Sequence, residues 1–127
     1  MNIARSIAAI AVMTVFAAPT AWAQAAGGTN PGQTAFLVCK TCHSLEPGKN
    51  GVGPSLHGVF GRKAGTESGF NYSPAMVNSN VVWNEDTLSK YLADPKGFIP
   101  GNKMPFPGLA DAQKRQDVIS YLKQAAQ

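Results

Sequence analysis

Cys39-Lys40-Thr41-Cys42-His43 holds both cysteines of the chain and one of its two histidines. A Cys-x-x-Cys-His run reads as a covalent c-type haem site. The spacing has a physical reason: on a helical turn residues i and i+3 share a face, so two thiols can add to the haem vinyl groups while the adjacent imidazole reaches the iron. A chain that carries haem on these residues must fold around it.

Upstream, Arg5 leads into the apolar run Ile7 to Ala18, followed by Pro19-Thr20-Ala21-Trp22-Ala23 with a small-x-small ending. This predicts a secretory signal peptide over residues 1–23, cleaved after Ala23, and delivery to the periplasm. The apolar stretch falls short of the roughly 20 residues of a spanning helix, and no later segment is longer or more apolar, so stable membrane insertion is not expected. Outside the cytosol a Cys-x-x-Cys pair oxidises to a disulfide unless something consumes the thiols, and haem attachment does so. Residues 24–127 then form a single domain, small for burying a large core unaided. A covalent haem would supply an apolar centre.

The chain carries 11 basic and 7 acidic side chains, a formal charge of +4. Arg5 is the sole charged residue of the leader, so the chain after cleavage stays mildly basic. That balance suits transient docking to acidic protein surfaces, where complementary charge raises encounter rates more than affinity. The lysines are scattered, with no basic cluster interleaved with aromatics, which argues against nucleic acid as a partner.

Local signals place the elements. Asn30-Pro31 offers an N-cap followed by proline at the first helical position, predicting a helix from Pro31 to Cys42 with Gly32 and Phe36 on one face. Residues 44–71 carry so many glycines and prolines that neither helix nor strand is expected, and a loop this long belongs in a compact domain only if it wraps something. Ser73-Pro74 starts a short helix through about Asn78, and Asn84 opens another over Glu85 to Ala93, with acidic residues at its positive end and Pro95 as its stop. Phe98 to Gly108 is a proline-held loop containing Met104. Asp111 caps a final helix to about Ala125, striped by Val118, Ile119, Tyr121 and Leu122. The fold class is all-α: three main helices, short extra ones and long loops.

An electron-transfer haem with both axial positions filled needs a second ligand besides His43, and the candidates after the leader are Met104, Met76 and His57. Met104 is favoured, because prolines on both sides pin its loop and place the thioether at little entropic cost. Met76, on the short helix, reads first as packing. His57, in Leu56-His57-Gly58, reads first as a hydrogen-bonded loop histidine, so bis-histidine ligation is the weaker reading. The free ring nitrogen of His43 needs a fixed acceptor, for which a carbonyl in Gly53-Pro54 is available. Propionates would need donors: Arg62, Tyr72 and Trp83 are available, although Arg62 reads equally as a solvated residue and Trp83 as plain core.

With Cys-x-x-Cys-His near the N-terminus, Gly53-Pro54-Ser55-Leu56-His57-Gly58-Val59-Phe60-Gly61-Arg62 after it, and Pro100-Gly101-Asn102-Lys103-Met104 before the last helix, the chain resembles class I cytochrome c. It is most similar to bacterial periplasmic relatives of the mitochondrial protein. The resemblance spans residues 31–125. It implies one haem c bound through Cys39 and Cys42, axial ligands His43 and Met104, and the Pro54 carbonyl on His43. It also implies Arg62, Tyr72 and Trp83 near the propionates, Tyr91 beside the methionine, Phe106 over the haem edge, and Gly32 and Phe36 packed on Val118 and Tyr121.

The resemblance further implies a monomeric one-electron shuttle that docks at the haem edge and performs no bond chemistry. Donors would be a membrane quinol-oxidising complex or a periplasmic dehydrogenase, and acceptors a terminal oxidase, photosynthetic reaction centre or reductase. Lys49, Lys96 and Lys103 match the family's docking lysines and Lys40 adds a nearby charge, whereas Val38, Ala110 and Asp111 replace customary ones. Mitochondrial-type members usually carry asparagine, threonine, isoleucine and alanine where Met76, Asn102, Pro105 and Pro107 stand, so hydrogen bonding and stiffness beside the haem differ here.

Other functions fit less well. A haem enzyme or gas carrier would need an open sixth position. Thiol redox chemistry at Cys39 and Cys42 would need a βαβ setting that the sequence lacks. Zinc would have to use His57, far along a loop.

Overall fold

The structure, a computed structural model, describes residues 28–127. The expected signal peptide and its cleavage point lie outside the described residues. Five helices follow one another: α1 (Pro31–Lys40), α2 (Pro74–Val77), α3 (Glu85–Ala93), α4 (Pro95–Phe98) and α5 (Ala112–Ala125). Among the described residues the extended pairing is a single antiparallel bridge, Lys63 with Val82, and no helix is long and apolar enough to cross a membrane. The all-α expectation of three main helices with short additions is met.

Side-chain caps start the helices as their sequences suggest. Asn30 Oδ1 accepts from the Gly32 and Gln33 N–H groups at 2.9 and 3.2 Å, satisfying donors that have no partner within the helix. Asn84 and Thr87 close a reciprocal box at the start of α3, each side chain accepting the other's backbone N–H at 2.9 Å. Asp111 accepts from Gln113 and Lys114 at the head of α5.

Two boundaries differ from expectation. The first helix ends at Lys40 rather than Cys42, because the N–H groups of Cys42 and His43 both turn onto the Cys39 carbonyl, at 3.1 and 2.9 Å. One acceptor shared by successive donors tightens the chain, and the motif closes in a turn just past the helix. The second difference is α4, which sequence reading assigned to no helix. Pro95 does stop α3, but Asp94 then caps a new turn by accepting from Gly97 N–H at 3.0 Å. Asp-Pro is the same cap-plus-proline signal as Asn30-Pro31 and Ser73-Pro74, used here for four residues.

The terminal helices cross in close contact. Gly32 and Phe36 face α5, and a Cβ on Gly32 would lie 2.1 Å from the Asp117 carbonyl oxygen and 2.7 Å from Tyr121 Cβ. Phe36 stacks obliquely on Tyr121 with ring centroids 5.4 Å apart. The α3 helix packs on the other flank of α5, burying Leu88, Tyr91 and Leu92, and Glu85 pairs with Lys123 across that junction. Residues 44–71 wrap the outside. They are tied to the segment before α3 by Gly61 N–H to Trp83 O and Trp83 N–H to Arg62 O, and to the C-terminus by Gly58 N–H to Ala126 O.

Replacing Gly32 by alanine should therefore force the two helices apart. We expect Gly32→Ala to cost about 1–3 kcal/mol, the usual range for overpacking, as a lower denaturant midpoint in haem-loaded protein. An unchanged midpoint would mean that the crossing tolerates the added methyl.

Candidate functional site

The helices enclose a cavity of about 690 Å³ where a domain of this size would normally have its packed centre. Phe36, Leu88, Leu92, Val118 and Leu122 form its apolar wall, from α1, α3 and α5. Cys39, Cys42, His43, Pro54, Arg62, Tyr72, Trp83, Tyr91, Met104 and Phe106 all line it, although the sequence separates them widely. Met76 lines it too, buried on α2. His57 does not contribute to the wall; its backbone carbonyl accepts from Arg62 Nη1 at 2.9 Å.

His43 is held in one orientation. Its Nδ1 lies 2.7 Å from the Pro54 carbonyl oxygen. A carbonyl only accepts, so Nδ1 carries the proton and donates. Burial pushes the imidazole pKa below its ordinary value, with the Pro54 bond opposing in part, and the neutral ring keeps a lone pair on Nε2. Gly53 makes room for this: a Cβ there would lie 2.4 Å from His43 Cε1 and 2.7 Å from Nδ1. No disulfide joins Cys39 and Cys42, and both half-buried sulfurs border the cavity, as thioether bonds to haem require.

The Met104 segment is fixed as firmly. Met104 N–H donates to Asn102 Oδ1 at 3.0 Å, and the Tyr91 hydroxyl reaches Met104 Sδ at 3.8 Å. Burial pushes the Tyr91 pKa up to about 12, so the hydroxyl retains the proton it donates. Trp83 stacks beside Tyr91 at 5.0 Å between ring centroids.

Arg62 is a fixed residue, not a solvated one. Its guanidinium donates to the carbonyls of His57 and Ser55, both at 2.9 Å, and pairs with the Glu67 carboxylate at 2.5 Å, with both side chains largely shielded from solvent. Burial raises the Tyr72 pKa, partly offset by the Arg62 charge. Sequence reading passed over Glu67, whose only signal was an acidic residue within a glycine-rich loop. It also passed over Asn50, which joins Ser68 O to Ser55 N–H, each at 2.9 Å, and so braces the loop behind His43.

The donor set fits haem c: two cysteine sulfurs three residues apart with no disulfide between them, a neutral oriented imidazole and a thioether, all bordering one largely apolar space. Comparison with known proteins agrees. A family model described as Cytochrome c matches residues 29–126. Cytochrome c2 iso-2 of Magnetospirillum fulvum is 62% identical over 89 residues, spanning 70% of this chain and 93% of the relative. Cytochrome c2 of Blastochloris viridis is 47% identical over 114 residues, 89% of this chain and 87% of the relative. The solved structure of cytochrome cH from Methylobacterium extorquens superposes with a TM-score of 0.71 at 48% identity, covering 74% of this chain and 95% of that one.

These findings define a c-type cytochrome of class I, and the chain belongs to the cytochrome c family. It is a haem-containing electron carrier rather than an enzyme, with one haem c attached covalently.

Because a side chain at position 53 would press on the imidazole, Gly53→Ala should rotate the His43 ring and stretch its bond to Pro54. The expected cost is about 1–3 kcal/mol of holoprotein stability. Urea titration followed by haem absorbance would measure it, and a variant as stable as the parent would show that the ring has slack.

Proposed function

We propose that this cytochrome is a periplasmic one-electron shuttle, exported with residues 1–23 removed after Ala23, in which His43 Nε2 and Met104 Sδ are the axial ligands. The observation that carries the reading is the convergence of Cys39, Cys42, His43 and Met104 on one cavity, with the imidazole and thioether each restrained by a hydrogen bond. Haem c bound there supplies reversible ferrous–ferric exchange. Both protein ligands stay in place during that exchange because their supports are independent of iron charge: Pro54 O for His43, Tyr91 and Asn102 for Met104. Arg62, Tyr72 and Trp83 serve the propionates, and Phe106 covers the outer edge.

Partners are transient and docked at the cavity mouth. Donors are a quinol-oxidising membrane complex or a periplasmic dehydrogenase; acceptors are a terminal oxidase, reaction centre or reductase. The cytochrome c2 relatives support a redox carrier of this general kind. The charge supporting docking is modest. Lys49 is engaged by Glu46 at 2.9 Å and Lys103 Nζ donates to the Asn71 carbonyl at 2.8 Å, while Val38 and Val52 stand 52% and 73% exposed beside Cys39 and Gly53.

Met104→Ala tests the ligand assignment. Covalent haem should remain, the ferric protein should lose the long-wavelength absorption of methionine ligation, and the midpoint potential should fall; an unaltered spectrum would transfer the role to Met76 or His57. Association with an acidic redox partner should slow by less than about tenfold between low and physiological salt, the lower end of the roughly 10–10³ range that electrostatic steering spans. Stopped-flow rates falling far more steeply would show that charge, not apolar contact, governs docking.

A further inference from the structure

We infer that Asn102 is the positioning residue that holds Met104 at the site, by clamping the methionine loop to α4. The inference rests on Met104 being the axial ligand.

A primary amide offers two N–H donors and one oxygen able to accept twice, and Asn102 uses both donors and the oxygen. Nδ2 donates to the Pro95 carbonyl at 2.7 Å and to the Ile99 carbonyl at 2.8 Å. Oδ1 accepts Met104 N–H at 3.0 Å and the Tyr91 hydroxyl at 3.4 Å. The orientation of the amide is unambiguous, since two carbonyls on one side require the nitrogen and a backbone N–H on the other requires the oxygen. One half-buried side chain thus joins α4, the α3 tyrosine and the backbone of the methionine.

The clamp acts at a fixed distance from the sulfur. Asn102 N–H also bonds to the Ile99 carbonyl at 3.1 Å, and Gly101 turns the chain with φ +88°. The α4 helix is itself anchored by Asp94 and by the buried Pro95. The single Tyr91 proton is shared between Asn102 Oδ1 at 3.4 Å and Met104 Sδ at 3.8 Å, so the phenol stands between the amide and the thioether and touches both. A thioether binds iron weakly, and the less a loop must be ordered to present it, the better it competes with an external ligand. A threonine at this position would have one O–H donor, enough for at most one of the Pro95 and Ile99 carbonyls.

The test uses the full, haem-loaded protein and imidazole as the competing ligand. In the ferric state, Asn102→Ala should bind imidazole at least about tenfold more tightly than the parent and show a weaker methionine absorption band, with helix content by circular dichroism unchanged; Asn102→Thr should fall between the two. Imidazole affinity within twofold of the parent in both variants, with the parent's methionine band intact, would overturn the clamp and leave Met104 as ligand, even if thermal stability fell. Absence of that band in the parent itself would overturn the ligand assignment and the clamp together. If the alanine variant fails to mature with haem, the threonine variant decides by the same titration.

Discussion

The contact of α1 with α5 at Gly32 is the constraint on which the rest of the molecule depends. Only a residue without a Cβ lets the first helix rest on the Asp117 carbonyl and the Tyr121 stem. With the two ends of the chain locked together, everything between them must travel around the outside. That path is long, and it encloses a space. The inward residues of the helices, Phe36, Leu88, Val118 and Leu122, border that space instead of interlocking fully with one another. In a domain too small to generate a large core from side chains alone, haem is a structural centre as well as a redox group.

Burial organises the chemistry of the site. It lowers the basicity of His43 and carries the Tyr91 phenol to about 12, both in the direction of the uncharged form. The charged and neutral polar groups deepest in the site are held by specific partners: His43 by a carbonyl and Arg62 by a carboxylate and two carbonyls. The Arg62 charge is thus balanced by Glu67 and its geometry fixed. A surrounding of low polarity with few mobile charges reorganises little when the iron changes oxidation state, and shielding from solvent is among the levers that set haem potentials.

The two sides of the site are built differently. His43 follows a helix directly and needs one carbonyl and a missing side chain at Gly53 to fix its ring. Met104 sits in irregular chain, where no helix supplies regular bonds, and its order comes from side chains: Asn102, Tyr91 and the short α4 behind them. The exposed valines at the mouth and the pairing of Lys49 with Glu46 give the outer surface less free charge than the count of basic residues suggests, while Lys103 keeps its charge and is only oriented by the Asn71 carbonyl.

Local chemistry wrote much of this in the sequence. Cap-plus-proline pairs marked the starts of α1 and α2, Asn84 and Asp111 marked α3 and α5, and the Cys39–His43 spacing named the cofactor, because each depends on groups a few residues apart. The candidate residues around the cavity were also legible, most of them through resemblance to a family rather than from their own neighbours. Irregular chain hid the remainder. Glu67 on Arg62, Asn50 between Ser55 and Ser68, and the bonds of Asn102 join residues of one loop or of neighbouring segments, but no helical or strand period says which loop side chain meets which carbonyl or carboxylate. The exact end of α1 and the existence of α4 likewise turned on which backbone carbonyl or carboxylate each free N–H met in space. Composition and spacing thus decided which groups were available; three-dimensional packing decided their partners, since a hydrogen bond is satisfied by proximity and not by order in the chain.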